Sequence, residues 1–203
     1  MKKRLRIGII GGTFDPPHLG HLILAEEAVR QLKLDKVIFM PSFIPPHKKV
    51  RQNNPQSRYR MVALSCKGNP AFEASRIEID RGSVSYSVDT LRLLKKKCGN
   101  KADLFFIIGS DWLRSLAKWK SIKEVLRLAR FAVAARPGFR MRNPKKGMAA
   151  INMPLIEISS ADIRHRVKNS ASIRYLVPEA VRKFIEINRL YEARSEKRSL
   201  RAK

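Results

Sequence analysis

Two glycines followed by two histidines three residues apart stand in the segment Gly11-Gly12-Thr13-Phe14-Asp15-Pro16-Pro17-His18-Leu19-Gly20-His21, between an apolar run and an amphipathic stretch. Paired glycines let a backbone turn tightly and approach a ligand, and the orphan amides at a helix start attract phosphate. His18 and His21 fall on one side of a first helical turn, where both can donate hydrogen bonds to phosphate oxygens. The chemistry this suggests is stabilisation of phosphate charge. Neither common glycine loop is present: GxxxxGK[ST] is absent, and glycines at 8, 11, 12 and 20 do not make GxGxxG. Two other readings stand beside this one. The histidines could cap the helix or sit in the core, or they could bind a metal, since His pairs at this spacing do so; nothing else in the sequence supplies the remaining ligands.

Such a loop needs a strand before it and a helix after it, and the periodicity supplies both. Buried strands are read at Leu5 to Ile10, Val37 to Met40, Leu104 to Ile108 and Phe131 to Ala135. His18 to Lys33 carries Leu22, Leu24, Ala25, Ala28, Val29 and Leu32 as a one-sided stripe, with Glu26, Glu27 and Arg30 facing water. Further helices are expected at Ser57 to Lys67, Ser87 to Cys98, Asp111 to Ala117, Ile122 to Ala129, Ala161 to Val167 and Glu179 to Asn188. Strands alternating with helices predict an α/β protein with a doubly wound parallel sheet. In such sheets ligands bind beyond the carboxyl ends of the strands, which directs attention to the segments after each strand. Loops are expected at Pro41 to Pro55, at the basic Arg136 to Gly147, and in a frayed tail from Arg194 to Lys203.

A chain of 203 residues, 44% hydrophobic, is long enough for one core without staples. One domain over residues 1–191 and a basic tail over 192–203 are expected. Cys66 and Cys98 form no CxxC or Cys/His set, which suits a reduced cytoplasmic chain. The start imitates a signal n-region, but its apolar run, Ile7 to Ile10, is too short to continue as one. The longest charge-free stretch, Val37 to His47, falls well under the roughly 20 residues of a membrane helix, so no membrane partner is expected. The charge departs from average: 43 Lys and Arg against 17 Asp and Glu give a formal +26. That favours anionic partners and raises a rival reading, a basic nucleic-acid-binding protein. The basic residues are spread over every segment, with no RNP-like or zinc-finger motif, so no specific nucleic-acid partner is expected. A homo-oligomer is left open.

The segment Gly11 to His21 resembles the HxGH signature of the nucleotidyltransferase superfamily, in the GGTFDPxHxGH form of bacterial nicotinate-nucleotide adenylyltransferases. Other segments are similar in order. Pro45-Pro46-His47-Lys48 resembles PPHK, and Ser85 to Leu91 resembles SYTxDTL with Ser87 in place of Thr. Ile108-Gly109-Ser110-Asp111 through Trp119 resembles IGxDxLxxxxxW, and Arg136-Pro137-Gly138 matches RPG. Ile158 to Arg164 resembles ISSTxIR, with Ala161 where Thr is usual. The similarity runs from residue 5 to about Tyr191.

The resemblance implies a Rossmann-like nucleotidyltransferase fold with C-terminal helices, and transfer of AMP from ATP to nicotinate mononucleotide with Mg²⁺; the same fold could instead serve nicotinamide mononucleotide or another phosphorylated acceptor. The acceptor phosphate is itself the nucleophile, so catalysis reduces to in-line positioning and charge stabilisation. By resemblance His18 and His21 are catalytic and hold ATP phosphates, and Gly11, Gly12, Thr13, Phe14, Asp111, Ser159, Ser160, Ile163 and Arg164 complete the ATP site. Asp111 could accept from a ribose hydroxyl or adenine amine, or cap a helix. Lys48, Tyr86, Thr90, Trp119 and Arg136 are implied on the acceptor side, Lys48 and Arg136 as phosphate contacts, with Trp119 against the pyridine ring. Trp112 is read as core. Ala161 removes a hydroxyl and so bears on ATP affinity.

Overall fold

Strands buried on both faces carry apolar side chains at successive positions, and here the central strands send alternate residues into two separate cores. The computed structural model describes residues 3–46, 53–134 and 147–193. Six strands, β1 (Leu5–Gly12), β2 (Lys36–Pro41), β3 (Phe72–Ala74), β4 (Ala102–Gly109), β5 (Arg130–Ala134) and β6 (Met148–Ile151), form one sheet in the order β3-β2-β1-β4-β5-β6. Every pairing is parallel. This is the doubly wound order expected, and the chain changes winding direction between β1 and β4, where a ligand crevice opens.

On one face Ile7, Ile9, Leu104, Phe106, Ile108, Phe131 and Val133 pack under α4 (Ser87–Cys98) and α5 (Ile122–Leu128). On the other, Ile10, Phe39, Phe105, Ile107, Ala132 and Ala134 pack under α1 (Leu19–Leu32) and α2 (Pro55–Cys66). Gly8 lies at the tightest point of that second face. A Cβ there would come within 2.7 Å of Leu34 and 2.9 Å of Ile107. A third core joins Met61 of α2 to Ile163 of α6 (Ser160–Lys168) and to Val181 and Ile185 of α7 (Glu179–Ile187), so the C-terminal helices pack on α2.

The structure departs from the sequence expectation at short elements. β3 and β6 are edge strands of three and four residues, too brief for period-two patterning to register. The five-residue α3 (Ile77–Arg81) is short for the same reason. Asp111 to Ala117 is no α-helix but two 3₁₀ turns, Ser110–Arg114 and Leu116–Lys118, which carry the chain around the cavity rim. The loop and tail expected at Arg136–Gly147 and Arg194–Lys203 lie, save for Gly147, outside the described residues. Among the described residues no helix is long and apolar enough to cross a membrane.

Phe131 links the sheet to the site, its ring 5.6 Å from Phe106 and 6.3 Å from Trp119. Phe131→Ala is expected to lower stability by about 3–5 kcal/mol, the usual range for a buried aromatic, as measured by urea unfolding.

Candidate active site

The segments that follow β1, β2 and β4 enclose a cavity of about 1180 Å³ with the starts of α1, α4 and α6. A pocket for one drug-sized ligand measures roughly 300–1,000 Å³, so there is room for two ligands side by side. Gly11, Gly12, Thr13, Phe14, His18 and His21 form one wall.

The first loop is fixed from below. Phe14 sits in the left-handed region at φ 51°, and its ring meets His21 edge-on at 5.0 Å and Phe39 at 5.9 Å. His18 is the N-cap residue of α1, so the capping reading and the cavity reading describe the same side chain. Its backbone N–H donates to Nδ1 of His21 at 3.2 Å, and the two rings stack at 3.7 Å. With Nδ1 accepting, a neutral His21 carries its proton on Nε2 and acts there as a donor.

The start of α6 reaches the same wall. Ser159 caps that helix by accepting the N–H of Asp162 at 3.0 Å, and so keeps its own proton to donate. Ser160 commits its proton to the carbonyl of Pro16 at 2.8 Å. Arg164 donates through Nη1 to the carbonyl of Asp15 at 2.7 Å. Both therefore tie α6 to the first loop, while Ala161 stands in the wall without a hydroxyl. Ile163 departs from the expectation. It is 0% exposed within the third core, because the residue one turn into α6 faces α2 and α7, and it does not line the cavity.

Sequence reading missed the residue that joins these loops. Arg58 of α2 is 1% exposed, and its guanidinium donates to the carbonyls of Thr13 (2.8 Å), Phe43 (3.1 Å) and Asn53 (3.1 Å). Burial lowers its pKa, opposed by the charge of Asp15 and by Tyr191 and Glu78. Asp15, 5% exposed, accepts from the Tyr191 hydroxyl at 2.6 Å and from the Asn53 side chain at 3.0 Å. Burial and the Asp15 charge both push the Tyr191 pKa up, so it stays a neutral donor. The one sequence signal for Arg58 was a charged residue beside the apolar positions of an otherwise amphipathic helix.

The opposite lobe is aromatic. Tyr86, Thr90, Trp112 and Trp119 line it, with Lys120 Nζ 4.4 Å from the Tyr86 ring centre. Trp112 corrects the core assignment: it is 37% exposed and meets Trp119 edge-on at 5.7 Å, because the 3₁₀ geometry turns it outward. The Thr90 hydroxyl is committed to the buried carboxylate of Glu78 at 2.6 Å. Asp111 lies on the rim, in the first turn after β4. Lys48 and Arg136 lie outside the described residues.

The cytidylyltransferase-like family model matches residues 9–166, and the chain belongs to that family. It is 45% identical over 188 residues to a probable nicotinate-nucleotide adenylyltransferase of Exiguobacterium sibiricum, covering 92% of this chain and 99% of that one. It is 43% identical over 192 residues to the nicotinate-nucleotide adenylyltransferase of Bacillus subtilis, covering 93% and 99%. Within the wider family, then, it is a member of the nicotinate-nucleotide adenylyltransferases. A nicotinic acid mononucleotide adenylyltransferase of Plasmodium falciparum, solved with NaAD, superposes with a TM-score of 0.77 at 16% identity over 93% of this chain and 98% of that one, a likeness of fold.

Removing the Arg58 guanidinium leaves three carbonyls without their donor. Arg58→Met is expected to cost about 3 kcal/mol or more, at about 1–3 kcal/mol per unsatisfied buried group. Tyr191→Phe, which leaves Asp15 its Asn53 bonds, is expected to cost about 1–2 kcal/mol. Thermal unfolding of both variants checks the order.

Proposed function

We infer that this protein transfers AMP from ATP to nicotinate mononucleotide, giving nicotinate adenine dinucleotide and pyrophosphate, a nucleotidyltransferase step of NAD biosynthesis. The observation that carries it is one cavity in which two helix starts, those of α1 and α6, converge on a phosphate-sized donor wall opposite an aromatic lobe. Relatives 43–45% identical over nearly the whole chain bear the same activity in their names.

A phosphate oxygen of the acceptor attacks the α-phosphorus of ATP. A new P–O bond forms as the bond from the α-phosphorus to the bridging oxygen breaks, and that electron pair leaves with pyrophosphate. The acceptor oxygen is already anionic, so no general base and no covalent enzyme intermediate are required. His21, donating from Nε2, and His18 stabilise charge at the α-phosphate, and Ser159, Arg164 and the amides of the α6 start receive the outgoing pyrophosphate. Gly11, Gly12, Thr13 and Phe14 let the nucleotide approach the backbone, and Asp111 takes a ribose hydroxyl or the adenine amine. Tyr86 and Trp119 hold the pyridine ring, with Lys118 and Lys120 adding positive potential to that lobe.

Mg²⁺ belongs to this reading as the partner of the triphosphate, whose charge it neutralises. Among the described residues no three His, Cys, Asp or Glu converge on one point. A magnesium ion bound chiefly through substrate phosphates and water needs no such cage. The reading expects the protein in the cytoplasm.

Pyrophosphate release from ATP and Mg²⁺ with nicotinate mononucleotide, against its amide analogue, tests the assignment. The acid is expected to have the higher kcat/KM, because Lys118 and Lys120 line the lobe and the two acceptors differ by one charge. Equal or better turnover of the amide would leave only the wider family. His21→Ala is expected to lower kcat by about 10² or more with the fold intact. Near-normal kcat in both His21→Ala and His18→Ala would return these residues to a capping role.

A further inference from the structure

Glu78 takes no part in the transfer described above, yet this acid of a chain with a formal charge of +26 is 7% exposed and lies in the cavity wall. Its carboxylate accepts the Thr90 hydroxyl at 2.6 Å, and the nearby Ser85 side chain favours its charged form. Ser85 Oγ in turn accepts the backbone N–H of Phe43 at 2.9 Å, and the Phe43 carbonyl accepts from Arg58 at 3.1 Å. The Ser85 N–H donates to the Ile44 carbonyl at 2.9 Å, beside the Ile44–Val84 bridge. A network therefore runs from the Arg58 cation through Phe43 to Ser85, beside the Glu78 carboxylate that Thr90 feeds from α4. It joins the segment after β2 to the start of α4, the two sides of the aromatic lobe. The ATP wall shares Arg58 with this network through the Thr13 carbonyl, and is held besides by the bonds of Ser160 to Pro16 and Arg164 to Asp15, none of which involves Glu78.

We propose that Glu78 is the positioning residue of the acceptor lobe: its carboxylate accepts the Thr90 hydroxyl beside Ser85 and so holds the wall on which a phosphorylated pyridine nucleotide seats. Its loss weakens acceptor binding and spares ATP binding. The proposal rests on the adenylyl-transfer reading for the identity of the acceptor.

An ionised carboxylate only accepts and so suits the Thr90 hydroxyl; once protonated, one of its oxygens becomes a donor among hydroxyls that had donated to it. Burial is the largest influence on Glu78 and raises its pKa from the ordinary 4.5, while the bond from Thr90, the nearby Ser85 side chain and the charges of Arg81 on α3 and Arg58 on α2 act the other way. The wall thus loosens at a higher pH than an exposed carboxylate would dictate. The effect on stability has the opposite sign. The folded protein holds this proton more tightly than the unfolded chain, so the stabilisation is present below 4.5 and lost as pH rises through the folded value. A neutral amide in its place removes that cost.

Steady-state kinetics of Glu78→Gln with ATP and nicotinate mononucleotide, from pH 5 to 8, test this. Hydrogen bonds to a charged group contribute about 1.5–3 kcal/mol, so the acceptor KM at neutral pH is expected to rise about tenfold or more, with ATP KM and kcat within about twofold. The melting temperature at pH 7 is expected to hold or rise. Wild-type acceptor KM should climb as pH falls, more steeply than in the variant, where only the substrate phosphate titrates. Unchanged acceptor KM in folded Glu78→Gln, equal rises in both KM values, or identical pH curves for wild type and Glu78→Gln overturn the proposal. Absence of pyrophosphate release by the wild type with nicotinate mononucleotide would instead sink the reading on which it rests.

Discussion

A buried guanidinium is the constraint on which the site depends. Arg58 is nearly inaccessible and binds three backbone carbonyls from three different segments: the glycine loop, the turn after β2 and the approach to α2. Loops that would otherwise move independently become one wall. Removing such a charge from water costs several kcal/mol, offset only where every donor finds a partner. Here each of the three guanidinium nitrogens has a carbonyl partner, with Asp15 close enough to favour the charged form. Asp15 extends the constraint to the C-terminal end of the chain through Tyr191, and to α6 through the bond its carbonyl accepts from Arg164.

The two helix starts then have separate tasks within one frame. At α1 the donors are imidazoles, stacked and oriented by the N-cap geometry of His18. At α6 they are a serine hydroxyl, backbone amides and a guanidinium, with Ser160 given over to anchorage. A reaction whose nucleophile comes with the substrate asks for this kind of site, rich in fixed donors and poor in bases. The buried acids, Asp15 and Glu78, serve instead to hold donors in place.

Much of this was legible in the sequence where the signal was long or local. The four central strands and the helix after His18 follow from period and from apolar runs, and the Gly11–His21 segment suggests phosphate chemistry by residue type and spacing. What escaped was short or non-local. β3 and β6 have too few residues to show alternation. The turn at Trp112 took 3₁₀ form, which reversed its burial. Ile163 fell inside a binding motif yet faces the core, because a helix that presents its first turn to a ligand sends the next residue inward. Arg58, Asn53 and Tyr191 meet Asp15 and the glycine loop only through tertiary folding, and no spacing along the chain announces that.

Central to this account is direct in-line transfer on a preorganised donor wall, with no adenylylated protein between the two half-reactions. The stereochemical course at the α-phosphorus tests it most directly, using ATP made chiral there with sulfur in place of one oxygen. A single displacement predicts inversion of configuration in the dinucleotide formed. Retention would mean two displacements through a covalent protein intermediate, and would contradict the account.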